Sequence, residues 1–191
     1  LHTAPTFPYL VNLVSFAPLP WHSRVGPLDQ PDWIVFDLGQ EGANYAVVCK
    51  VALALKDLLD RLGLEAYPKT SGSSGMHLYL PIGARYGYDV AAEVAEEIAL
   101  VVARENPDLI TLERSLANRK AGRVYLDYLQ NARGKSIVAP YSVPARPRPS
   151  VSPPLEWGDV RRGFHPGPST TPTLHPRPAR QRATHPPVVS P

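Results

Sequence analysis

Cysteine is nearly missing: Cys49 is the only one in 191 residues, which excludes an internal disulfide and a zinc cluster built on thiolates. Long apolar runs are missing too. No stretch approaches the ~18 residues of a membrane span, and nothing at Leu1 joins a charged start to a hydrophobic signal core. These absences predict a soluble, intracellular protein. Charged residues are few, at 19% against 43% hydrophobic, so a globular body is expected rather than a disordered chain. Proline is in excess, with 23 residues. Charge is uneven: Arg161–Pro191 holds five arginines and no acid. The net charge of +3 therefore belongs to the tail, and any binding surface on the body must be a local cluster.

The first twenty residues are apolar and broken by proline, and read as the remnant of a larger, incomplete N-terminal lobe. Trp33–Phe36 is a short run of strand formers. Val47, Val48, Val51, Leu55, Leu58, Leu59 and Leu62 recur at helical steps, predicting a helix over 44–62 with Gly63 as its stop. Leu64–Pro68 and Met76–Ile82 read as strands around the loop Lys69–Gly75. Asp89 is expected to cap a second helix to about Arg104. Arg123–Leu129 and Ser136–Ala139 read as a hairpin across Gln130–Gly134. Strands and helices interleave, so an α/β (α+β) sheet with helices on one face is expected over residues 1–160. Residues 161–191, rich in proline and arginine, read as a disordered tail.

Asp37 and Asp127 are the first candidates for chemistry. Each carboxylate is flanked by apolar strand residues, where it is costly to bury without a cation or donor. On neighbouring strands the two would lie a few ångströms apart, as a magnesium or manganese site requires; a turn-capping role is the alternative for Asp37. Thr70-Ser-Gly-Ser-Ser-Gly75-Met-His77 is the second candidate. Its small residues would let amides approach an anion, with Ser71 and His77 as donors; a plain serine–glycine turn competes evenly. Arg114, Arg119, Lys120, Arg123, Arg133 and Lys135 flank the Asp127 strand and read as phosphate contacts, against a solvated face. Cys49 falls among core valines. His165, His175 and His185 lack ligand spacing.

Several stretches together resemble the polymerase domain of bacterial ligase D, in the archaeo-eukaryotic primase superfamily. They are Trp21-His-Ser-Arg24, Pro31–Leu38, Lys69–His77, Arg123–Asn131, Arg133–Ser142 and Val151–Trp157. The resemblance runs from about Leu10 to Arg162. It implies a primase-polymerase fold with an RRM-like catalytic sheet, and nucleotide addition at DNA ends in non-homologous end joining. It implies two divalent ions, Mn2+ or Mg2+, held by three aspartates, with Asp37 and Asp127 the first and third. Ser71, His77, Lys120 and Lys135 would hold the nucleotide, and Arg119, Arg123 and Arg133 the DNA. Implied partners are DNA ends, NTP or dNTP, ligase and nuclease modules and Ku, in a bacterial cytoplasm and without a membrane.

The chain departs from the family pattern where chemistry is done. Asp-x-Asp-Pro appears as Asp37-Leu-Gly39-Gln40, His-Pro-Trp as Leu19-Pro-Trp21, and Tyr-Ser-x-Arg as Tyr141-Ser-Val-Pro144. Glu41 is a possible substitute for the middle ligand. The sequence thus predicts an impaired or inactive nucleotidyltransferase; the alternative is a non-catalytic nucleotide- or nucleic-acid-binding remnant.

Overall fold

Strand β1, Trp33–Gly39, forms where apolar strand formers follow Pro31, and it lies at the centre of the sheet. The computed structural model describes residues 9, 17–40, 42–143 and 151–163. The other strands are β2 (Tyr67–Thr70), β3 (Met76–Pro81), β4 (Ile110–Thr111) and β5 (Val124–Asp127). Their order is β2-β3-β1-β5-β4, with every neighbouring pair antiparallel except β4 and β5.

Helix α1, Tyr45–Arg61, starts where the Asn44 side chain accepts from the Val47 N–H at 3.0 Å. It stops at Gly63, whose φ of +70° lets the Gly63 and Leu64 amides return to the Asp60 and Leu59 carbonyls. Helix α2, Tyr88–Glu105, is capped differently from expectation. Gly87 is its N-cap, and Asp89 lies in the first turn, where its charge faces the positive end of the helix dipole. A short third helix, α3 (Trp157–Arg161), hangs from β2 through the Trp157 indole N–H on the Ala66 carbonyl at 2.9 Å.

Alternation decides which sheet face is buried. Ile34, Phe36 and Leu38 of β1, Met76, Leu78 and Leu80 of β3, and Val124 and Leu126 of β5 join one core with α1 and α2. The residues between them point to the opposite face. The fold is mixed α+β, as expected, with the helices on one face.

Three elements differ from the sequence reading. The first strand after α1 begins at Tyr67 and runs to Thr70, and β4 was not foreseen. The expected hairpin is not formed. Trp21 pairs with Ser136, and the Ile137 and Ala139 amides donate to the Pro20 and Pro18 carbonyls. The strand from Val124 ends at Asp127 because the chain turns into a 3-10 helix, Leu129–Asn131. The buried Asn131 side chain then takes the place of a strand. Its Oδ1 accepts from Val35 N at 2.7 Å, and its Nδ2 donates to Val35 O at 2.9 Å. Asn131→Ala strands both groups inside the protein and is expected to cost about 3 kcal/mol, read from the urea midpoint.

Helix α3 carries the described body through Arg161 to Gly163. Residues 164–191 of the predicted tail lie outside the described residues.

Candidate active site

The face opposite the helices carries the titratable residues, and strand register puts four of them in one transverse row. Lys69 of β2 is opposite His77 of β3, His77 is opposite Asp37 of β1, and Asp37 is opposite Asp127 of β5. Directly opposed antiparallel residues share a face, with Cβ atoms about 5 Å apart. Asp37, Asp127 and His77 therefore converge as the sequence suggested, whereas Lys69 was not singled out. The β2–β3 register, and not any sequence pattern, sets it on the His77 face.

Burial sets the charges along this row. His77 Nε2 lies 3.5 Å from Asp37 Oδ1, and its buried Nδ1 has no hydrogen-bond partner among the described residues. Burial, then the neighbouring Lys69 charge, holds the imidazole well below its ordinary range, so it is neutral at pH 7. Lys69, 1% exposed, is pulled down to about 7 by burial, while Asp37 opposes the shift. Two opposed carboxylates repel unless a cation or donor offsets them. Asp127 has donors already: Leu129 N on Oδ1 at 2.9 Å and Gln130 Nε2 on Oδ2 at 2.8 Å.

Gly39 occupies the next position on the same face, opposite Tyr125. A third carboxylate in the Asp-x-Asp pattern would project there. Among the described residues no group of three His, Cys, Asp or Glu is placed to hold a metal ion. The described donor set, two carboxylates beside a histidine, therefore falls short of a two-ion centre. Glu41, the possible substitute, lies outside the described residues.

Ser71–Gly75 closes the row on the β3 side and, with Asp37, Gly39, Gln40, His77 and Gln130, lines a largely open cavity of about 510 Å³. Ser71 Oγ accepts from Ser73 N at 3.2 Å and Gly75 N at 3.0 Å, so these two amides close the loop on itself. The serine hydroxyl keeps its own hydrogen to donate. Gly75 is required by space: a Cβ there would sit 2.4 Å from the Leu38 carbonyl oxygen of β1.

Of the candidate cations, Arg119 is the one tied to this face. Arg119 stacks on Tyr125 at 3.7 Å from the ring centre and donates to the Glu113 and Arg114 carbonyls. Arg123 lies 3.9 Å from Asp108, and Arg133 Nε donates to Asp29 at 2.5 Å. Lys120 and Lys135 are exposed.

A second, smaller cavity of about 120 Å³ lies on the same sheet face, between Trp21, His22, Trp33, Tyr67, Lys69 and Tyr79. His22, also unforeseen, is 3% exposed with neither ring nitrogen partnered among the described residues, and burial lowers its pKa to about 4. Its folded value is below the unfolded 6.5, so its contribution is complete above pH 6.5 and lost as pH falls toward 4. About 3 kcal/mol of stability is expected to disappear over that window in wild type, and to be missing from the pH dependence of His22→Leu. Urea midpoints at successive pH values measure it.

Comparison with known proteins matches this arrangement to one family. The model of the LigD primase-polymerase domain matches residues 1–185, past the Arg162 limit read from the sequence. The multifunctional non-homologous end joining protein LigD of Mycolicibacterium smegmatis is 36% identical over 141 residues, 73% of this chain and 18% of that protein. The Pseudomonas aeruginosa protein of the same description is 38% identical over 136 residues, 71% of this chain and 16% of its own length. The bifunctional LigD of Bacillus subtilis is 35% identical over 147 residues, 76% of this chain and 24% of that protein. The chain thus corresponds to less than a quarter of these relatives. A solved structure, the polymerase domain of Mycobacterium tuberculosis ligase D in complex with DNA, superposes with a TM-score of 0.67 at 31% identity. It covers 78% of this chain and 53% of that one. On these matches the chain belongs to the LigD primase-polymerase domain family.

Proposed function

We propose that this chain is a LigD-type end-joining polymerase domain that keeps its phosphate-binding face but adds nucleotides poorly or not at all. A nucleoside triphosphate enters the cavity beside Asp37 with its phosphates toward Ser71 and His77, and with Lys120 and Lys135 as long-range cations. A DNA end lies toward Arg119, Arg123 and Arg133. The relatives' description as end-joining proteins and the DNA bound to the M. tuberculosis domain support this reading. Mn2+ or Mg2+ enters it only as the ion the triphosphate carries in solution. Ligase and nuclease modules, Ku and a bacterial cytoplasm belong to the same proposal. No helix among the described residues is long and apolar enough to cross a membrane.

The observation that carries the impairment is Gly39, facing Tyr125 beside the Asp37–Asp127 pair. Losing a charged ligand costs several kcal/mol of charge stabilisation, and each ~1.4 kcal/mol is tenfold in rate. The test is manganese-dependent labelling of a primed duplex, run beside a DNA-binding titration over a range of salt. Binding that weakens steeply with salt, with extension only at the limit of detection, is expected. Rapid extension that survives Glu41→Ala overturns the impairment. Neither binding nor extension overturns the whole reading and leaves a remnant without function.

A further inference from the structure

The segment 151–155 runs beside the edge strand β2. Thr70 N donates to the Pro153 carbonyl at 3.1 Å, Leu155 N donates to the Pro68 carbonyl at 2.8 Å, and Lys69 bridges to Pro154. On its other side, Ser152 N donates to Ser142 O at 3.0 Å, and Tyr141 N donates to Ser152 O at 2.8 Å. Side chains tie this strap down at one point. Lys69 Nζ donates to Ser152 Oγ at 2.6 Å and to the Thr70 carbonyl at 3.0 Å, and Ser152 Oγ donates to the same carbonyl at 2.5 Å. Thr70 is the last residue before the Ser71–Gly75 loop. Its main chain is therefore held at both ends, at N–H by Pro153 of the strap and at C=O by Lys69 of β2 together with Ser152 of the strap.

We propose that Lys69 and Ser152 are positioning residues that fix the entry of the Ser71–Gly75 loop, making the 151–155 strap a structural part of the phosphate site. The phosphate role rests on the function proposed above; the control of the loop does not. A lysine is a poor choice if fastening an edge were its only use. Its ammonium is stripped of water, and an apolar side chain of similar length fills such a site without that cost. Buried Ser152 and Thr70 supply the acceptors that make the charge tolerable. Lys69 and Ser152 thus both serve the Thr70 carbonyl, and that carbonyl leads directly into the loop bearing Ser71.

The test compares the full chain with Lys69→Met and Ser152→Ala by three measurements. These are the urea midpoint, hydrogen exchange of the 71–75 amides against those of β1 and β3, and binding of ATP with manganese. Lys69→Met is expected to keep or raise the midpoint while speeding loop exchange about tenfold and weakening ATP binding about tenfold; Ser152→Ala moves loop exchange the same way. Unchanged loop exchange in both variants overturns the proposal. So does faster exchange that rises equally in β1 and β3, which marks a general loss of stability. If Lys69→Met fails to fold, Ser152→Ala decides alone. If wild type does not bind ATP, the proposed function fails, while loop exchange still decides whether Lys69 and Ser152 hold the loop.

Discussion

Gly39→Asp is expected to raise manganese-dependent extension of a primed DNA end by at least about a hundredfold over wild type. Gly39 is the last residue of β1 and shares a face with Asp37, two residues earlier on the strand. A carboxylate placed there joins the opposed Asp37 and Asp127 on one surface. Gly39 is in an extended strand, so aspartate costs the backbone at most about 1 kcal/mol. Arg119, stacked over the facing Tyr125, is a cation that the new carboxylate can meet. A primer-extension time course checks the gain, and a urea melt checks that the fold is unchanged. Extension that stays at the wild-type level would move the defect to Leu19 or Pro144, where the other family residues are replaced.

Gly75→Ala is expected to have the largest effect in the opposite direction. The added methyl meets the Leu38 carbonyl oxygen at 2.4 Å, far inside van der Waals contact. Neither group sits on a side chain that can swing away. Leu38 belongs to the central strand between Asp37 and Gly39, and Gly75 also donates to Ser71 Oγ. Relief must come from lifting the loop off β1, which separates Ser71 from Asp37. A loss of about 3 kcal/mol is expected, near 10 °C in Tm for a domain of this size. ATP binding should fall below detection even well below the melting temperature. Calorimetry and an ATP titration measure the two effects, and a variant that binds ATP normally would refute the loop's role.

Much of this was legible in the sequence because local rules and tertiary packing agree. Helix α1 shows its apolar stripe and its Gly63 stop in sequence alone, and its Asn44 cap only in the fold. Asp37 and Asp127 declared themselves as charges inside apolar strands, and the sheet pairs them directly. The errors fall where pairing is long-range. Ser136–Ala139 has the alternation of a strand, but its partner is Pro18–Trp21, more than a hundred residues earlier. Asp89 has the residue type of a cap, but Gly87 fits the extended turn before α2. Lys69 and His22 gave no signal of burial, because lysine and histidine in short polar stretches are usually solvated. Their environment exists only once the strap and the Trp21 segment are folded against the sheet.

We infer that this face is one carboxylate short of holding two ions. Counting bound manganese by its electron paramagnetic resonance signal, with ATP present, tests that most directly. Fewer than two ions are expected in wild type, and a second, saturable one in Gly39→Asp. Two tightly held ions in the wild-type chain would contradict it.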